Sequence, residues 1–216
     1  GLADLIKFTT VSNGVRIPKF ARYRQTFHAR AVKGSANDYS DVFALIDAAD
    51  TPGAHHAIEM ETECDMEQWM RTFAVIHAVG DPDHFGNNAA HNMYGYKPTR
   101  GKWNLLIWDM NFVLGNNSDP PGWNLFRTCA ADTNLARIFV TPQFRRMYLR
   151  ALKELCNGPF LPSNLHPLLD SKYAAYLASG VVAASPTNIK SWVAAARTGI
   201  LAVREHQVKL REALAA

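Results

Sequence analysis

The stretch that decides the fold of this chain is residues 80–111, which read GDPDHFGNN (80–88), HNMYGY (91–96) and KWNLLIWDMN (102–111). Alternating side chains on both sides of a turn at residues 97–101 predict a β-hairpin. Asp83 precedes this hairpin and Asp109 follows it. Carboxylate and amide oxygens at the ends of a hairpin are the ligands that Mg²⁺ needs when it carries phosphates. Phosphoryl transfer is therefore the first chemistry to test.

Composition excludes several other classes of protein. The chain has 216 residues, of which 48% are hydrophobic, and a formal net charge of +4. This composition predicts a globular protein, and the scattered basic residues give no stripe for binding nucleic acid. No apolar run reaches the ~18 residues of a membrane span. Because the chain has neither a start methionine nor a signal-like segment, we expect it to be a piece of a longer protein.

The three cysteines, Cys64, Cys129 and Cys156, are odd in number and lack the spacing of metal ligands. Their pattern predicts neither a disulfide framework nor a zinc site. We expect buried thiols that act as small hydrophobic side chains.

The N-terminal third predicts strands followed by two helices. Residues 5–10 and 21–32 are rich in β-branched and aromatic residues, and a turn at 12–14 separates them. Helical spacing follows from residue 38 to about Asp50. A second helix is expected between Asp65 and Gly80, with Asp65 and Gln68 as a variant of the capping box.

The C-terminal part is predicted to be helical. Thr141-Pro142 is a start signal and Gly158 a stop signal. Further helices are expected over residues 165–177 and from Thr187 onward, and residues 115–122 form a long loop. The predicted class is α+β and mostly helical, with a β-hairpin at the site and an N-terminal strand fragment.

The ordered motifs of the chain resemble the CotH (spore coat protein H) kinase-like family, a branch of the atypical protein kinases. The resemblance rests on an acidic loop, an aromatic strand, a Gly-Lys-Trp turn and a Trp-Asp-x-Asp-like segment. These motifs are Asp81-Pro82-Asp83, Gly86-Asn87-Asn88, residues 91–96, Gly101-Lys102-Trp103 and Trp108-Asp109-Met110-Asn111. The resemblance implies a kinase-like C-lobe over residues 37–216, preceded by a remnant of a β-rich N-lobe or connector over 1–36.

The resemblance also implies roles for individual residues. Asp83 would be the catalytic aspartate that accepts the proton of a substrate hydroxyl. Asp109 would hold Mg²⁺ or Mn²⁺ against the phosphates of ATP, with Asn92 and Asn111 as further ligands. Asn92 is favoured as the amide ligand, and Asn88 is the alternative because it lies five residues after Asp83, as in ordinary kinases.

Two departures from the family pattern bear on activity. The residue that is usually Asn before the catalytic aspartate is Asp81, and the second Asp of the later motif is Asn111. No glycine-rich phosphate loop with a following lysine can be identified, and Lys7 and Lys33 are expected to be solvated residues at strand edges.

Structural roles compete with these functional ones. Asp81 and Asp83 could be turn residues around Pro82. His84 and His91 could ligate a metal with Asp83, although loop histidines more often form hydrogen bonds. We expect residues 55–63 to be a polar linker rather than a metal site. The tryptophans are expected in the core rather than in a ligand platform: Trp69, Trp103, Trp108, Trp123 and Trp192.

The position of Asp109 after a strand that is expected to be buried gives a further argument for its role. Trp108 and Met110 flank this residue, so we expect its carboxylate to need a cation or donors to offset its desolvation.

Three functions follow as hypotheses. The first is a CotH-like protein kinase that transfers the γ-phosphoryl group of ATP to hydroxyl side chains of a protein. The second is an inactive, pseudokinase-like surface or adhesion protein, and the third is a metal hydrolase that uses Asp83 and Asp109. By resemblance, we expect a secreted, cell-surface or spore-coat location in a bacterium, and the oligomeric state stays open.

Overall fold

The computed structural model describes residues 11–12, 15–16, 40–85, 92–126 and 133–215. The described elements, in chain order, are β1 (Val11–Ser12), β2 (Val15–Arg16), α1 (Ser40–Asp50), a 3₁₀ helix (Gly53–His55), α2 (His56–Glu63), α3 (Met66–Ala78), β3 (Met93–Tyr96), β4 (Asn104–Ile107), α4 (Thr133–Val140), α5 (Pro142–Asn157), α6 (Pro162–Ala178) and α7 (Thr187–Ala215). Antiparallel pairing joins β1 to β2 and β3 to β4. The predicted α+β class, mostly helical, is confirmed.

The predicted helices and the predicted hairpin are present close to their expected bounds. α1, α3, α5 and α6 begin and end within a few residues of the sequence signals, and α7 begins at Thr187 as predicted. The pair β1–β2 flanks the predicted turn, with Val11 opposite Arg16. The two longer strands predicted at residues 5–10 and 21–32 lie outside the described residues.

The start of α3 shows how the hairpin is attached to a helix. The backbone N–H of Gln68 donates to Oδ1 of Asp65 at 3.0 Å, which confirms the predicted cap. The Gln68 side chain bonds to strand β4 rather than back to the cap: its Nε2 donates to the Leu105 carbonyl at 2.7 Å, and its Oε1 accepts from the Leu105 N–H at 2.9 Å. A single amide side chain therefore joins α3 to the strand that leads to Asp109.

Two sequence-based expectations about local structure are wrong, and one helix was missed. Residues 56–63 form helix α2 instead of a polar linker, with His56, Ala57 and Met60 on its buried face. Helix α4 was not predicted at all. Trp108 and Trp123 are 59% and 51% exposed instead of belonging to the core. Burial depends on which face meets another element, and composition alone does not report this.

The described residues divide into two compact units. As far as these ranges are described, the first comprises Gly1–Thr72, Asp83–Asp109 and Phe126–Arg146, and the second comprises Phe73–Pro82, Met110–Leu125 and Met147–Ala216. The predicted boundary between residues 36 and 37 stays a prediction, because most of residues 1–36 lie outside the description.

The first unit has a core built around the hairpin, helices α1, α2 and α4, and the N-terminal parts of α3 and α5. Fully buried side chains include Leu45, Ile46, Met60, Trp69, Leu105 and Phe144. The Trp103 backbone links Glu63, Asp65 and Trp69: its N–H donates to the Glu63 carbonyl at 2.7 Å, and its carbonyl accepts from the Asp65 N–H at 3.0 Å and from Nε1 of Trp69 at 2.8 Å. These bonds hold the start of β4 against α3.

The second unit contains the end of α3, the loop over residues 110–125, the larger part of α5 and the helices α6 and α7. The loop lies against α7 at a contact between two glycines, since a Cβ placed on Gly122 would lie 2.9 Å from Cα of Gly199. Gly122 also has a positive φ of 72°, which side chains other than glycine adopt at a cost. This contact explains a glycine in the middle of α7.

Cys64 and Cys156 are buried, as predicted, and burial raises the pKa of both thiols. Cys129 lies outside the described residues.

Candidate functional site

The chain enters the site from the C-terminus of α3, which ends in a Schellman motif. The N–H of Gly80 donates to the His77 carbonyl at 3.2 Å, and the N–H of Asp81 donates to the Ile76 carbonyl at 3.1 Å. Gly80 has the positive φ, 73°, that this motif requires. Its local geometry directs the chain into the Asp81-Pro82-Asp83 turn.

The structure brings Asp83 and Asn92 together. Nδ2 of Asn92 donates to the backbone carbonyl of Asp83 at 2.8 Å and to its carboxylate Oδ2 at 3.1 Å. Asn92 has a φ of 56°, in the left-handed region that Asn tolerates better than most residues. Both residues are partly buried. The pair ties the acidic loop to the first residue before strand β3.

Asp109 lies at the same end of the hairpin. Met93 pairs with Ile107 in the last register position, and the N–H of Trp108 donates to the Asn92 carbonyl at 3.0 Å. Asp109 follows directly, with a φ of 52°. Two left-handed residues, Asn92 and Asp109, therefore flank the point where the two strands part.

The desolvation argument for Asp109 is wrong, because the residue is exposed. Its side chain lies on the solvent side of the strand end, where it needs no buried partner. Its candidacy as a metal ligand depends on its position beside Asn92 and not on burial.

The remaining predicted site residues lie elsewhere or outside the description. Asn111 belongs to the second unit, is exposed, and accepts a bond from Nδ2 of Asn116 at its backbone carbonyl, at 2.7 Å. Asn88 and His91 lie outside the described residues. His84 is buried, with Nδ1 at 2.5 Å from the Phe85 carbonyl. That contact is typical of a histidine that stabilises a loop.

Oxygen atoms of the kind that hard divalent cations bind lie at this end of the hairpin. Asp83 and Asp109 carry carboxylates, and the nitrogen of Asn92 donates to Asp83, so the amide oxygen of Asn92 would be the atom available to a cation. Within the described part of the chain, no group of three or more His, Cys, Asp or Glu side chains is arranged to hold a metal.

An exposed aromatic face adjoins these residues, and sequence reasoning missed it. Tyr94 is 55% exposed and Trp108 59% exposed, and their rings meet edge to face at 5.7 Å between centroids. Tyr94 pairs with Leu106, which is also exposed. The period-2 pattern of the strands could have revealed this outer face, since Met93 and Leu105 occupy the buried one.

A comparison with models of known protein families gives the class of the protein as kinase-like. The sequence model of the family described as CotH kinase protein matches residues 15–195, a range that includes every candidate site residue. The chain belongs to the CotH kinase family, and a kinase-like function follows from that membership. No curated protein and no solved structure matched the chain.

Proposed function

We propose that this chain forms most of the C-lobe of an atypical protein kinase, which transfers the γ-phosphoryl group of ATP to hydroxyl side chains of a protein. The observation that carries the proposal is the double hydrogen bond from Asn92 to Asp83. It holds a carboxylate and an amide at the hairpin end where Asp109 follows.

Asp83 is the proposed catalytic residue. Its carboxylate would orient the attacking hydroxyl and accept its proton as the bond to phosphorus forms. The Asn92 bonds restrict the rotation of this carboxylate, and positioning is the main contribution that such a site makes to the rate.

Asp109, Asn92 and Asn111 are the proposed ligands of Mg²⁺ or Mn²⁺, with Asn88 as the alternative amide. The bound metal would neutralise charge on the phosphates of ATP during transfer. Relative to the family pattern, Asp81 adds one negative charge and Asn111 removes one, so the net charge is retained.

Exposed aromatic rings on the outer face of the hairpin support the proposal that the protein binds a nucleotide. Tyr94 and Trp108 lie next to Asn92 and present exposed rings, and aromatic rings stack on nucleobases. We propose that the adenine lies on this face while the phosphates extend toward Asp109.

Further properties follow as proposals. The partners would be a nucleotide and a protein with accessible hydroxyl side chains, and the location would be the surface or spore coat of a bacterium. No described helix is long and apolar enough to cross a membrane.

The first test is thermal shift of the full-length protein with ATP and Mg²⁺, followed by a phosphotransfer assay. We expect stabilisation by ATP with Mg²⁺ that Asp109→Ala removes, and transfer that Asp83→Ala removes. Asp47→Ala is the matched control, because Asp47 is an exposed acid on α1 that is not among the proposed site residues.

Other outcomes would favour the other candidates. Absence of stabilisation by nucleotide would favour the pseudokinase-like adhesion protein. Stabilisation by metal alone, together with ester hydrolysis, would favour the hydrolase.

A further inference from the structure

The connection between helices α6 and α7, within the second unit, carries an exposed apolar surface that the proposed function does not use. Tyr176 and Leu177 at the end of α6 are 53% and 52% exposed, and Val181 and Val182 after it are 49% and 98% exposed. We call these four residues the apolar tip. Single exposed apolar side chains are ordinary, but four within seven residues are typical of an interaction site.

The apolar tip protrudes instead of lining a groove. Helix α6 is described over its whole length, and none of its residues is buried. A Cβ placed on Gly180 would meet no heavy atom of the described residues within 4 Å, apart from its chain neighbours. A valine that is 98% exposed, as Val182 is, lies on a convex surface. A convex apolar surface suits insertion into a soft apolar medium better than packing against a flat partner.

Hydrogen bonds hold the apolar tip in its exposed position. The N–H of Val181 donates to the Tyr176 carbonyl at 2.9 Å, and the N–H of Gly180 donates to the Leu177 carbonyl at 3.0 Å. With the positive φ of 72° at Gly180, these bonds form a Schellman motif. Such a motif often pairs apolar side chains at the positions of Val181 and Tyr176, which does not account for Leu177 or Val182. A tip that is already ordered loses little conformational entropy on binding.

The charges beside the apolar tip are positive. Between Asp170 and Glu205 the sequence contains no Asp or Glu, and the basic residues nearest the tip along the chain are Lys172 and Lys190. Asp170 is itself paired with Lys190, at 2.5 Å between Oδ1 and Nζ. Lys172 is exposed and lies one turn before Tyr176 on the same side of α6. A lysine at this position can extend its ammonium group to negative headgroups while apolar side chains lie below them.

We propose that the apolar tip inserts into the headgroup region of a membrane that contains anionic lipids, and that Lys172 contacts those headgroups. Tyrosine suits this region because its ring is apolar and its hydroxyl group is polar. The contact is peripheral and reversible, since four side chains bury much less apolar surface than a spanning helix does. This inference is independent of phosphotransfer.

The test is co-sedimentation of the full-length protein with lipid vesicles. We expect binding to vesicles of phosphatidylcholine with about 30% phosphatidylserine, and weaker binding to phosphatidylcholine alone. Val182→Asp should lower the partition coefficient about tenfold, because it places a negative charge in the headgroup region. Lys172→Gln should lower it about fivefold on the anionic vesicles and have little effect on the neutral ones. Both residues are exposed, so the melting temperature should stay near its wild-type value.

Val140→Asp is the matched control. Val140 is a valine at the end of α4, in the first unit, and its side chain is 65% exposed. This variant introduces the same charge outside the apolar tip, so the partition coefficient should change much less than in Val182→Asp.

Absence of binding to both kinds of vesicle overturns the inference. Equal weakening by Val182→Asp and Val140→Asp overturns it as well, since a net charge of +4 attracts anionic lipids without any contact of the tip. If the wild-type protein is a dimer in solution and Val182→Asp makes it a monomer, the apolar tip contacts a second copy of the chain, and the inference is wrong.

Discussion

Asn92 and Asp83 are joined by two hydrogen bonds, from Nδ2 of Asn92 to the carbonyl of Asp83 at 2.8 Å and to its Oδ2 at 3.1 Å. The bonds connect an acidic loop to a strand start across a sequence separation of nine residues. Because the amide nitrogen of Asn92 donates these bonds, its amide oxygen is the atom that would face a cation if Asn92 is the amide of the proposed site.

Replacing Asn92 by Asp tests this pair. The donor nitrogen becomes an acceptor oxygen next to the Asp83 carboxylate, and two carboxylates at this distance repel each other. We expect phosphotransfer to fall about a hundredfold or more, measured as kcat/KM. Asn88→Asp is the comparison, and an effect confined to position 88 would contradict our assignment.

Asp109→Asn removes the carboxylate charge but keeps a residue type that tolerates the left-handed backbone conformation of position 109. Asn adopts the φ of 52° found at this position, so the fold should be retained while one negative charge is lost. We expect Mg²⁺-dependent binding of ATP to weaken about tenfold or more, measured by calorimetry. Asp109→Ala should additionally lower stability by about 1 kcal/mol because alanine tolerates this conformation poorly. Unchanged nucleotide affinity in both variants would remove Asp109 from the site.

Trp108→Ala tests the aromatic face. Loss of one base–ring stacking contact of ~1–3 kcal/mol should raise the KM for ATP about tenfold, with kcat much less affected. Trp123→Ala is matched in residue type and in exposure, at 51% against 59%, and should leave the KM for ATP unchanged. Equal effects of the two variants would argue against a role of the hairpin face in binding the base.

His56 predicts a pH dependence of stability. Burial, with a smaller contribution from the charge of Arg137, lowers its pKa from 6.5 to about 4. Its Nδ1 lies 3.2 Å from the Thr141 hydroxyl. The His56 side chain therefore takes up a proton at higher pH in the unfolded chain than in the folded chain. The contribution of neutral His56 to the free energy of unfolding is fully present above pH 6.5.

This contribution should decline as the pH falls from 6.5 to 4, by on the order of 3 kcal/mol in total. Urea unfolding at several pH values measures the change, and His56→Gln should reduce it. An NMR titration that places the His56 midpoint near 6.5 would contradict the prediction.

Local patterns explain why much of the fold was predictable. Asp65 was identified as a cap because capping depends on residues within one helical turn. Strands β3 and β4 were identified because the alternation of side chains between the two faces of a strand is visible within their eight residues. Helix α4 was missed since it has eight residues and no distinct start signal. Helix α2 was missed since its charged residues mask the buried face that contains Met60.

The sequence by itself determined the order of the motifs, the family, the helix ends and the hairpin with acids on either side, because these depend on residues that are near one another along the chain. The tertiary structure decided that Asn92 bonds to Asp83, that Trp108 faces solvent and that Trp192 lies on Gly80 and Gly115. Those relationships join residues of distant segments, and they follow from how whole elements pack, which no local pattern contains.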